Sequence, residues 1–382
     1  MSKRQKLSLF PLEDLPDEVL LKILSYLDIK GVLQCGHLFK RIREISNDKS
    51  LWKKLNLTGR KIPFGFIEKA MENGCEYLKL RYASVNGRKK SKLPCSLKFL
   101  EISFCDNHEG VLQNCHLLEK LALFGVKLHS SGIEQIVQNG ETLRTLSLGP
   151  LNLRPELIQK LFTNCHQLTE VNMYCNNYAQ ICALVKNLTP NILKLSIRNY
   201  HVKGEHVAIL VQRCKKITEL DLGWTDFDSV KIIVEHLNFL EKLKLIIVGG
   251  FRLVYQTLLQ LNNIETLKVL HCHFSGDPIW IENLKQQLTL LQEKSIPTLN
   301  RLHCHFSCDP EEIENLKLQL PHVRINENSS LQIARPEKQG VGRSIDEDWF
   351  WEIKANQQDL FPPVDDLITK KNTLEEHLQR SC

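Results

Sequence analysis

The sequence has no long hydrophobic run. No stretch approaches the roughly 18 to 20 uninterrupted apolar residues of a membrane-spanning helix. The basic start at Arg4 is followed by acidic Glu13 and Asp14 rather than by the apolar core of a signal peptide. Charged residues make up 25% of the chain and hydrophobic residues 42%, values typical of a soluble folded protein. We therefore expect no membrane partner and a location in the cytoplasm, the nucleus or both.

The sequence also lacks the motifs of common catalytic and nucleotide-binding sites. It contains no G-x-G-x-x-G or G-x-x-x-x-G-K-[ST] phosphate loop, no G-x-S-x-G nucleophile elbow and no H-E-x-x-H zinc motif. No run of Lys and Arg interleaved with aromatic residues indicates nucleic-acid binding. We predict a protein that is not an enzyme, with no catalytic residue, no cofactor and no nucleic-acid partner.

The 13 cysteines do not have the arrangement of a disulfide framework. Their number is odd and the chain is 382 residues long, whereas disulfide frameworks are typical of small secreted chains. Several cysteines also recur at a fixed place in the repeats described below. We predict reduced cysteines that pack in the core.

Residues 12–57 have the apolar spacing of short helices. We expect Asp14 to cap the first helix and Pro16 to lie in its first turn. So small a module buries too little surface to be stable alone, and we expect it to need a partner. The first helix has one broad apolar stripe, formed by Val19, Leu20, Ile23, Leu24 and Leu27.

This segment resembles the F-box. The family pattern of Leu-Pro, an apolar helix ending in Tyr-Leu and a closing Leu-Trp is represented here by Leu15-Pro16, Tyr26-Leu27 and Leu51-Trp52. The resemblance implies docking on the Skp adaptor, and through it on the cullin and RING subunits of a ubiquitin ligase. The resemblance implies that eight residues contact the adaptor or form the core of the module, and it does not assign each residue to one of these roles. They are Leu15, Pro16, Val19, Leu20, Ile23, Leu24, Leu27 and Trp52.

The centre of the module differs from the family pattern. The usual Val-Cys-x-x-Trp is represented by the run from Leu38 to Ile42, which is apolar at its ends but lacks the tryptophan. This difference leaves the strength of adaptor binding open. The alternative interpretation of the module is a helical cap on the repeats that follow.

Behind the module, an L-x-x-L-x-L motif recurs at intervals of about 25 residues. Helical patterns such as Ile133/Ile136/Val137 lie between the motifs, so each repeat is predicted to be one strand and one helix. In three repeats a cysteine precedes the motif by three residues, which resembles the cysteine-containing leucine-rich repeats often found behind an F-box. The predicted strand triplets are Cys75/Leu78/Leu80, Leu97/Leu100/Ile102, Leu118/Leu121/Leu123, Leu143/Leu146/Leu148, Leu168/Val171/Met173, Ile192/Leu195/Ile197, Ile217/Leu220/Leu222 and Leu240/Leu243/Leu245.

The last two repeats are near copies that begin at His271 and His303. Aligning the copies places Leu267/Leu270/Cys272 and Leu299/Leu302/Cys304 as strand triplets. A competing register uses Ile264/Leu267/Val269, and we prefer the first because it keeps both copies alike. The paired histidines could hold zinc with Cys308 nearby, but duplication alone explains them and flat strand spacing of about 4.8 Å does not readily form a tetrahedron. No metal site is predicted.

Together these patterns predict an α/β protein in three parts. An F-box occupies residues 10–57, and about ten leucine-rich repeats occupy 70–326 as a right-handed horseshoe with parallel strands inside and helices outside. An acidic, aromatic tail follows at 327–382, with 7 Lys or Arg against 11 Asp or Glu, while the rest of the chain has 43 against 33. We expect the tail to cap the last repeat or enter the hollow; the alternative is a disordered linker.

Residues beside the central leucine of each strand should point into the hollow of the horseshoe. Aromatic side chains and long cations there are the types that dominate interface hot spots. The predicted target-binding set is Phe124, Tyr174, Arg198, Trp224, Lys242 and Lys244. The sequence thus predicts the substrate-recognition subunit of a Skp-cullin-F-box ubiquitin ligase, with a protein target of unknown identity. The alternative function is a repeat scaffold that binds protein or RNA without assembling a ligase.

Overall fold

The computed structural model describes residues 12–87, 96–105, 109–113, 115–198, 201–248, 261, 264–275, 301–305, 318 and 324–325. The chain forms two compact units, Met1–Glu327 and Asn328–Cys382, and every described residue lies in the first. The predictions about the acidic tail therefore lie outside the described residues. None of the described helices is long and apolar enough to cross a membrane.

The N-terminal segment is a set of short helices, as its spacing predicts. Asp28 caps the second helix by accepting the Gly31 N–H at 2.8 Å, and Asp48 caps the fourth by accepting the Ser50 N–H at 2.8 Å. The elements are a 3₁₀ turn at Leu12–Asp14, then α1 Asp17–Leu24, α2 Ile29–Cys35, α3 Lys40–Ile45 and α4 Lys49–Trp52.

The predicted cap of the first helix is wrong. Pro16 occupies the N-cap position of α1, and no side chain caps this helix. Asp14 lies two residues earlier, at the end of the 3₁₀ turn. An N-cap side chain must reach an amide two or three residues ahead, so Asp14 is too far back along the chain.

Twelve strands form one parallel sheet in chain order. Two further short strands, β2 Lys61–Pro63 and β4 Ser84–Asn86, pair with each other outside it. The main sheet consists of β1 Lys54–Asn56, β3 Tyr77–Arg81, β5 Phe99–Ser103, β6 Lys120–Phe124, β7 Thr145–Leu148, β8 Glu170–Tyr174, β9 Lys194–Arg198, β10 Glu219–Thr225, β11 Lys242–Val248, β12 Val269–Ser275, β13 Arg301–His305 and β14 Arg324–Ile325.

Helices connect most of these strands and contact one another in sequence. The predicted helical patterns lie on them; Ile133 and Ile136, for example, are buried on α7. The leucine triplets from Cys75 to Leu245 are also buried, because side chains alternate along a strand and one face of the sheet packs against the helices. The helices are α5 Phe64–Glu72, α6 Glu109–Leu112, α7 Ser130–Val137, α8 Pro155–Asn164, α9 Tyr178–Asn187, α10 Gly204–Arg213 and α11 Phe227–His236.

The duplicated repeats pair in the preferred register. Leu270 lies opposite Leu302, and His271 lies opposite His303. Leu270 also pairs with Leu243, the central leucine of the preceding triplet. The competing register is therefore wrong, because it would make Leu267 rather than Leu270 the central residue. The side chains of the four histidines lie outside the described residues.

The N-terminal helices and the repeats share one hydrophobic core. Trp52 of α4 is fully buried and donates its indole N–H to the Ser46 carbonyl oxygen at 2.9 Å. Directly after α4, β1 enters the main sheet beside β3, with Leu55 opposite Leu78. The small module was expected to need a partner, and the repeats of the same chain provide part of that packing surface.

The cysteines at described positions are free thiols, and most of them are buried. Burial raises the pKa of Cys165 to about 12, and burial has the same effect on the pKa values of Cys175 and Cys214, again to about 12. The Sγ of Cys214 lies 3.3 Å from the Thr189 carbonyl oxygen. These thiols pack in the core, as their fixed place in the repeat predicts.

Candidate functional site

Helix α1 separates its apolar side chains between two faces. Leu20 and Leu24 are 1% and 3% exposed and belong to the core. Val19, Ile23 and, just after the helix, Leu27 are 42%, 40% and 42% exposed. Val19 and Ile23 are four residues apart, so they lie above one another on one side of the helix, and Leu27 follows after the helix has ended at Leu24. The single stripe expected from the sequence is therefore two stripes with different roles.

The other residues of the predicted adaptor set divide in the same way. Trp52 is buried and structural, Leu15 is partly buried against the core, and Pro16 is exposed. Ile42, where the family pattern has tryptophan, is buried and fills a core position. The change at this centre therefore preserves packing within the module.

Two further apolar residues of this module are exposed and are absent from the predicted set. Tyr26 and Leu38 both have most of their side-chain surface in contact with solvent. Tyr26 belongs to the Tyr-Leu that closes the first helix, so its motif was a usable signal. Leu38 lies at the centre of the module, where the sequence differs from the family pattern. The pattern therefore gave no prediction of whether Leu38 is exposed.

An F-box-like family model matches residues 12–58. The match covers α1 to α4 and β1, so the F-box part of the resemblance is confirmed. An F-box domain typically binds the Skp adaptor, and F-box proteins are generally non-catalytic adaptors. The exposed Val19, Ile23 and Leu27 side chains lie within the matched residues.

The second candidate surface is the open face of the sheet, the face opposite the helices. On β8 to β11, one row of side chains alternates in charge. Lys194 lies 3.5 Å from Glu170 and 3.5 Å from Glu219, and Lys242 lies 3.1 Å from Glu219. Parallel pairing places these four residues opposite one another, strand by strand. The result is a ladder of ion pairs across four strands.

A second row on this face centres on Asp221, which is buried. Its carboxylate lies 3.6 Å from the Arg198 guanidinium and 3.8 Å from the Lys244 ammonium. It also accepts the Ser196 hydroxyl at 3.2 Å. Arg198 and Lys244 are therefore anchored by a buried carboxylate, which fixes their position and reduces the charge available to a partner.

The structure brings together some of the predicted target-binding residues and separates others. Arg198, Lys242 and Lys244 lie around Glu219 and Asp221 on three neighbouring strands. Phe124 and Tyr174 lie on β6 and β8 and are partly exposed. Trp224 is exposed at the end of β10, beyond a register shift that follows Asp221. The short side chains expected on the same face are covered: Ala122, Thr145, Ser147, Asn172 and Ser196 are buried.

Two exposed aromatic residues are absent from the predicted set. Tyr82 and Phe104 directly follow β3 and β5, and their rings stack 5.2 Å apart at an angle of 5°. Aligning the repeats places both at the position of Gly125, which follows β6. The replacement of that glycine by aromatic residues was a signal in the sequence. This position lies one residue beyond the end of the strand, where the alternation of side chains along a strand no longer predicts which way a residue points.

In the part of the chain that the structure describes, no three His, Cys, Asp or Glu side chains come together as a potential metal site. The histidine side chains of the duplicated repeats fall outside that part.

Proposed function

We propose that this chain is the substrate-recognition adaptor of a Skp-cullin-F-box ubiquitin ligase. The F-box-like domain, assigned to residues 10–57, binds the Skp adaptor and through it the cullin and RING subunits. Residues 70–326 form a right-handed leucine-rich-repeat horseshoe that binds a protein target and promotes its ubiquitination and degradation. The chain acts in the cytoplasm, the nucleus or both.

The observation that carries the proposal is the exposed stripe of Val19, Ile23 and Leu27. Leu20 and Leu24 belong to the internal core, whereas about two fifths of the surface of each stripe residue stays exposed in the domain itself. Removing apolar surface from water drives most protein association, and grouped apolar side chains on a surface mark such interfaces. A docking partner that buries this stripe explains why it is apolar.

The continuity of the F-box-like domain with the repeats supports an adaptor role. Strand β1 follows α4 without a linker and pairs with β3. Arg60, just beyond β1, lies 2.6 Å from Asp28 of the helical module. A rigid connection of this kind fixes the distance between the docked ligase and a target on the sheet, which positions the target for ubiquitin transfer.

The competing function is a repeat scaffold that assembles no ligase. The two functions are distinguished by comparing the proteins that copurify from cells with the parent chain and with a Val19→Glu/Ile23→Glu variant. Deleting the module is less informative, because Leu55 and Leu57 lie in the shared core. The variant should lose the Skp adaptor and the cullin together and keep its other partners. The proposal is contradicted if the variant recovers as much Skp adaptor and cullin as the parent chain does. It is also contradicted if the parent chain recovers neither protein.

A further inference from the structure

One row of side chains on the open face of the sheet is almost completely buried. Each member alternates along its strand with residues of the core, so its side chain points to the open face. Each member is also less than a tenth exposed. Parallel pairing places the members opposite one another on β6 to β10, in the order Ala122, Ser147, Asn172, Ser196 and Asp221.

The polar side chains at the β9 and β10 end of this row have partners. The Ser196 hydroxyl donates to the Asp221 carboxylate at 3.2 Å and accepts the Arg198 guanidinium N–H at 3.0 Å. The Lys244 ammonium lies 3.8 Å from the same carboxylate. Buried polar groups in folded proteins are nearly always bonded in this way, because an unsatisfied group has lost its hydrogen bonds to water and gained none.

Ser147 and Asn172 are the exceptions in this row. They lie directly opposite each other on β7 and β8 and are 1% and 8% exposed. Within the described part of the chain, the Ser147 Oγ is buried without a hydrogen-bond partner, and the Asn172 amide has no partner either. The fold therefore leaves two neighbouring polar groups unsatisfied on its open face.

A cation without an ion-pair partner lies beside these two residues. Lys120 is partly exposed and lies opposite Thr145, which is two residues before Ser147 and on the same face. The Thr145 hydroxyl donates to Glu170 at 3.4 Å, and Glu170 also lies 3.5 Å from Lys194. The ladder of ion pairs thus ends at Glu170, and Lys120 pairs with no carboxylate among the described residues.

The chemistry of the three groups indicates the ligand. The Lys120 ammonium can only donate hydrogen bonds, and the Ser147 hydroxyl and the Asn172 amide can both donate. A carboxylate accepts from all three and offsets the charge of Lys120, with charge-assisted hydrogen bonds that are stronger than neutral ones. A bound water could satisfy the hydroxyl and the amide, but it would leave that charge without a counterion.

We propose that Lys120, Ser147 and Asn172 bind the side-chain carboxylate of an Asp or Glu in the target. This inference rests on the proposed function and names the chemistry that its target offers to the open face. The ligand meets Lys120 and Asn172 first, since these two reach the surface. No hydrogen bond holds the Asn172 amide, so its rotation gives the carboxylate access to the Ser147 hydroxyl beneath it.

The probe is a phage-displayed library of random peptides selected on the intact chain. Counter-selection on a chain with both Lys120→Gln and Ser147→Ala removes peptides that bind elsewhere. The surviving peptides are synthesised with amidated C-termini, so that their only carboxylates belong to side chains. Each is also made with its Asp changed to Asn or its Glu changed to Gln, and binding is measured by fluorescence anisotropy.

The single variants of the chain are Lys120→Gln and Ser147→Ala, and the matched control is Ser196→Ala. The control removes a hydroxyl from the same row that has two partners within the fold. Ser147→Ala should weaken peptide binding and melt at or above the temperature of the parent, because its hydroxyl makes no bond that the substitution could break. Ser196→Ala should melt at a lower temperature and bind the peptides as the parent does.

The surviving peptides should contain an Asp or Glu whose change to the amide weakens binding to the parent about tenfold or more. The same change should weaken binding to the Lys120→Gln variant by about twofold or less, because the two side chains contact each other and their effects are coupled.

The inference is overturned if no peptide survives counter-selection, if the survivors lack acidic residues, or if the amide change costs the parent and Lys120→Gln equally. It is also overturned if Ser147→Ala melts at a lower temperature and binds the peptides unchanged, since its hydroxyl then holds only a structural water. Failure of the parent chain to bind purified Skp adaptor overturns the proposed function instead.

Discussion

The indole ring of Trp52 lies 5.7 Å from the phenyl ring of Phe66. Trp52 ends the last helix of the F-box-like domain, and Phe66 lies on the first helix of the repeats, α5. Together with the pairing of β1 with β3, this contact makes one folded body of two regions that the sequence suggests are separate.

Trp52→Ala should destabilise the repeats as well as the F-box-like domain. The substitution removes a fully buried ring and leaves the Ser46 carbonyl oxygen without its donor. Large-to-small changes of this kind cost about 3 to 5 kcal/mol. Hydrogen exchange should show lost protection in α5 alongside α1. Lost protection confined to the helices before β1 would contradict the shared core.

Leu20→Ala and Ile23→Ala should differ strongly in their effect on stability. Leu20 is buried, so its truncation should lower the free energy of unfolding by about 2 to 5 kcal/mol. Ile23 is 40% exposed, so its truncation should lower that free energy by less, about 1 kcal/mol or under. Urea unfolding measures both. Similar losses for the two variants would show that α1 is oriented differently.

The buried thiols should resist alkylation in the folded protein. Burial raises the pKa values of Cys165 and Cys214 to about 12, so the reactive thiolate is scarce at neutral pH. Cys35 and Cys182 are partly exposed and should react first with iodoacetamide, as read by mass spectrometry. In urea, the difference in reaction rate between the buried and the partly exposed cysteines should disappear. Early labelling of Cys165 in the native protein would contradict the packing of that repeat.

His206 should make stability depend on pH below neutrality. Its ring is buried, its Nδ1 accepts the Lys203 N–H at 3.1 Å, and the Tyr178 ring lies 4.9 Å away. Burial lowers the pKa of His206, although Glu205 and Asp226 act in the opposite direction. The unfolded chain therefore takes up this proton first, and stability should fall as the pH drops below about 6.5.

The control for this effect is His206→Gln, whose amide oxygen can accept the same N–H without titrating. Urea unfolding of the parent and the variant at a series of pH values isolates the contribution of the histidine. The difference in stability between them should be constant above the unfolded pKa and should shrink in favour of the variant below it. A constant difference down to pH 5 would exclude the effect.

The sequence predicted the parallel strands and the helices between them well, because the signal for each is repeated along the chain. Every leucine triplet has the same alternation of buried and open positions. One irregular triplet, such as the one at Cys75, therefore does not change the prediction. The register of β12 with β13 followed from duplication alone. By contrast, the prediction that Asp14 caps α1 was wrong, because it rested only on the residue type at a single position. The 3₁₀ turn that contains Asp14 has no repeated sequence signal.

The candidate sites were harder to predict because they depend on which neighbours cover a residue. Helical spacing grouped Val19 with Leu20, since a broad stripe does not show which edge faces the core. Strand alternation correctly placed Arg198, Lys242 and Lys244 on one face. It could not show that Glu219 and Asp221 hold them, because that depends on pairing between strands distant in sequence.

The most direct test is the affinity of the purified chain for purified Skp adaptor, measured by isothermal titration calorimetry. The variants are Val19→Glu with Ile23→Glu on the exposed face of α1, and Phe239→Glu as a control that adds a carboxylate at an exposed apolar position of the repeats. The parent and the control should bind alike, and the α1 variant should bind at least about a hundredfold more weakly, with unchanged melting temperature. Equal affinity of all three proteins, or no binding by the parent, would contradict the proposed adaptor role.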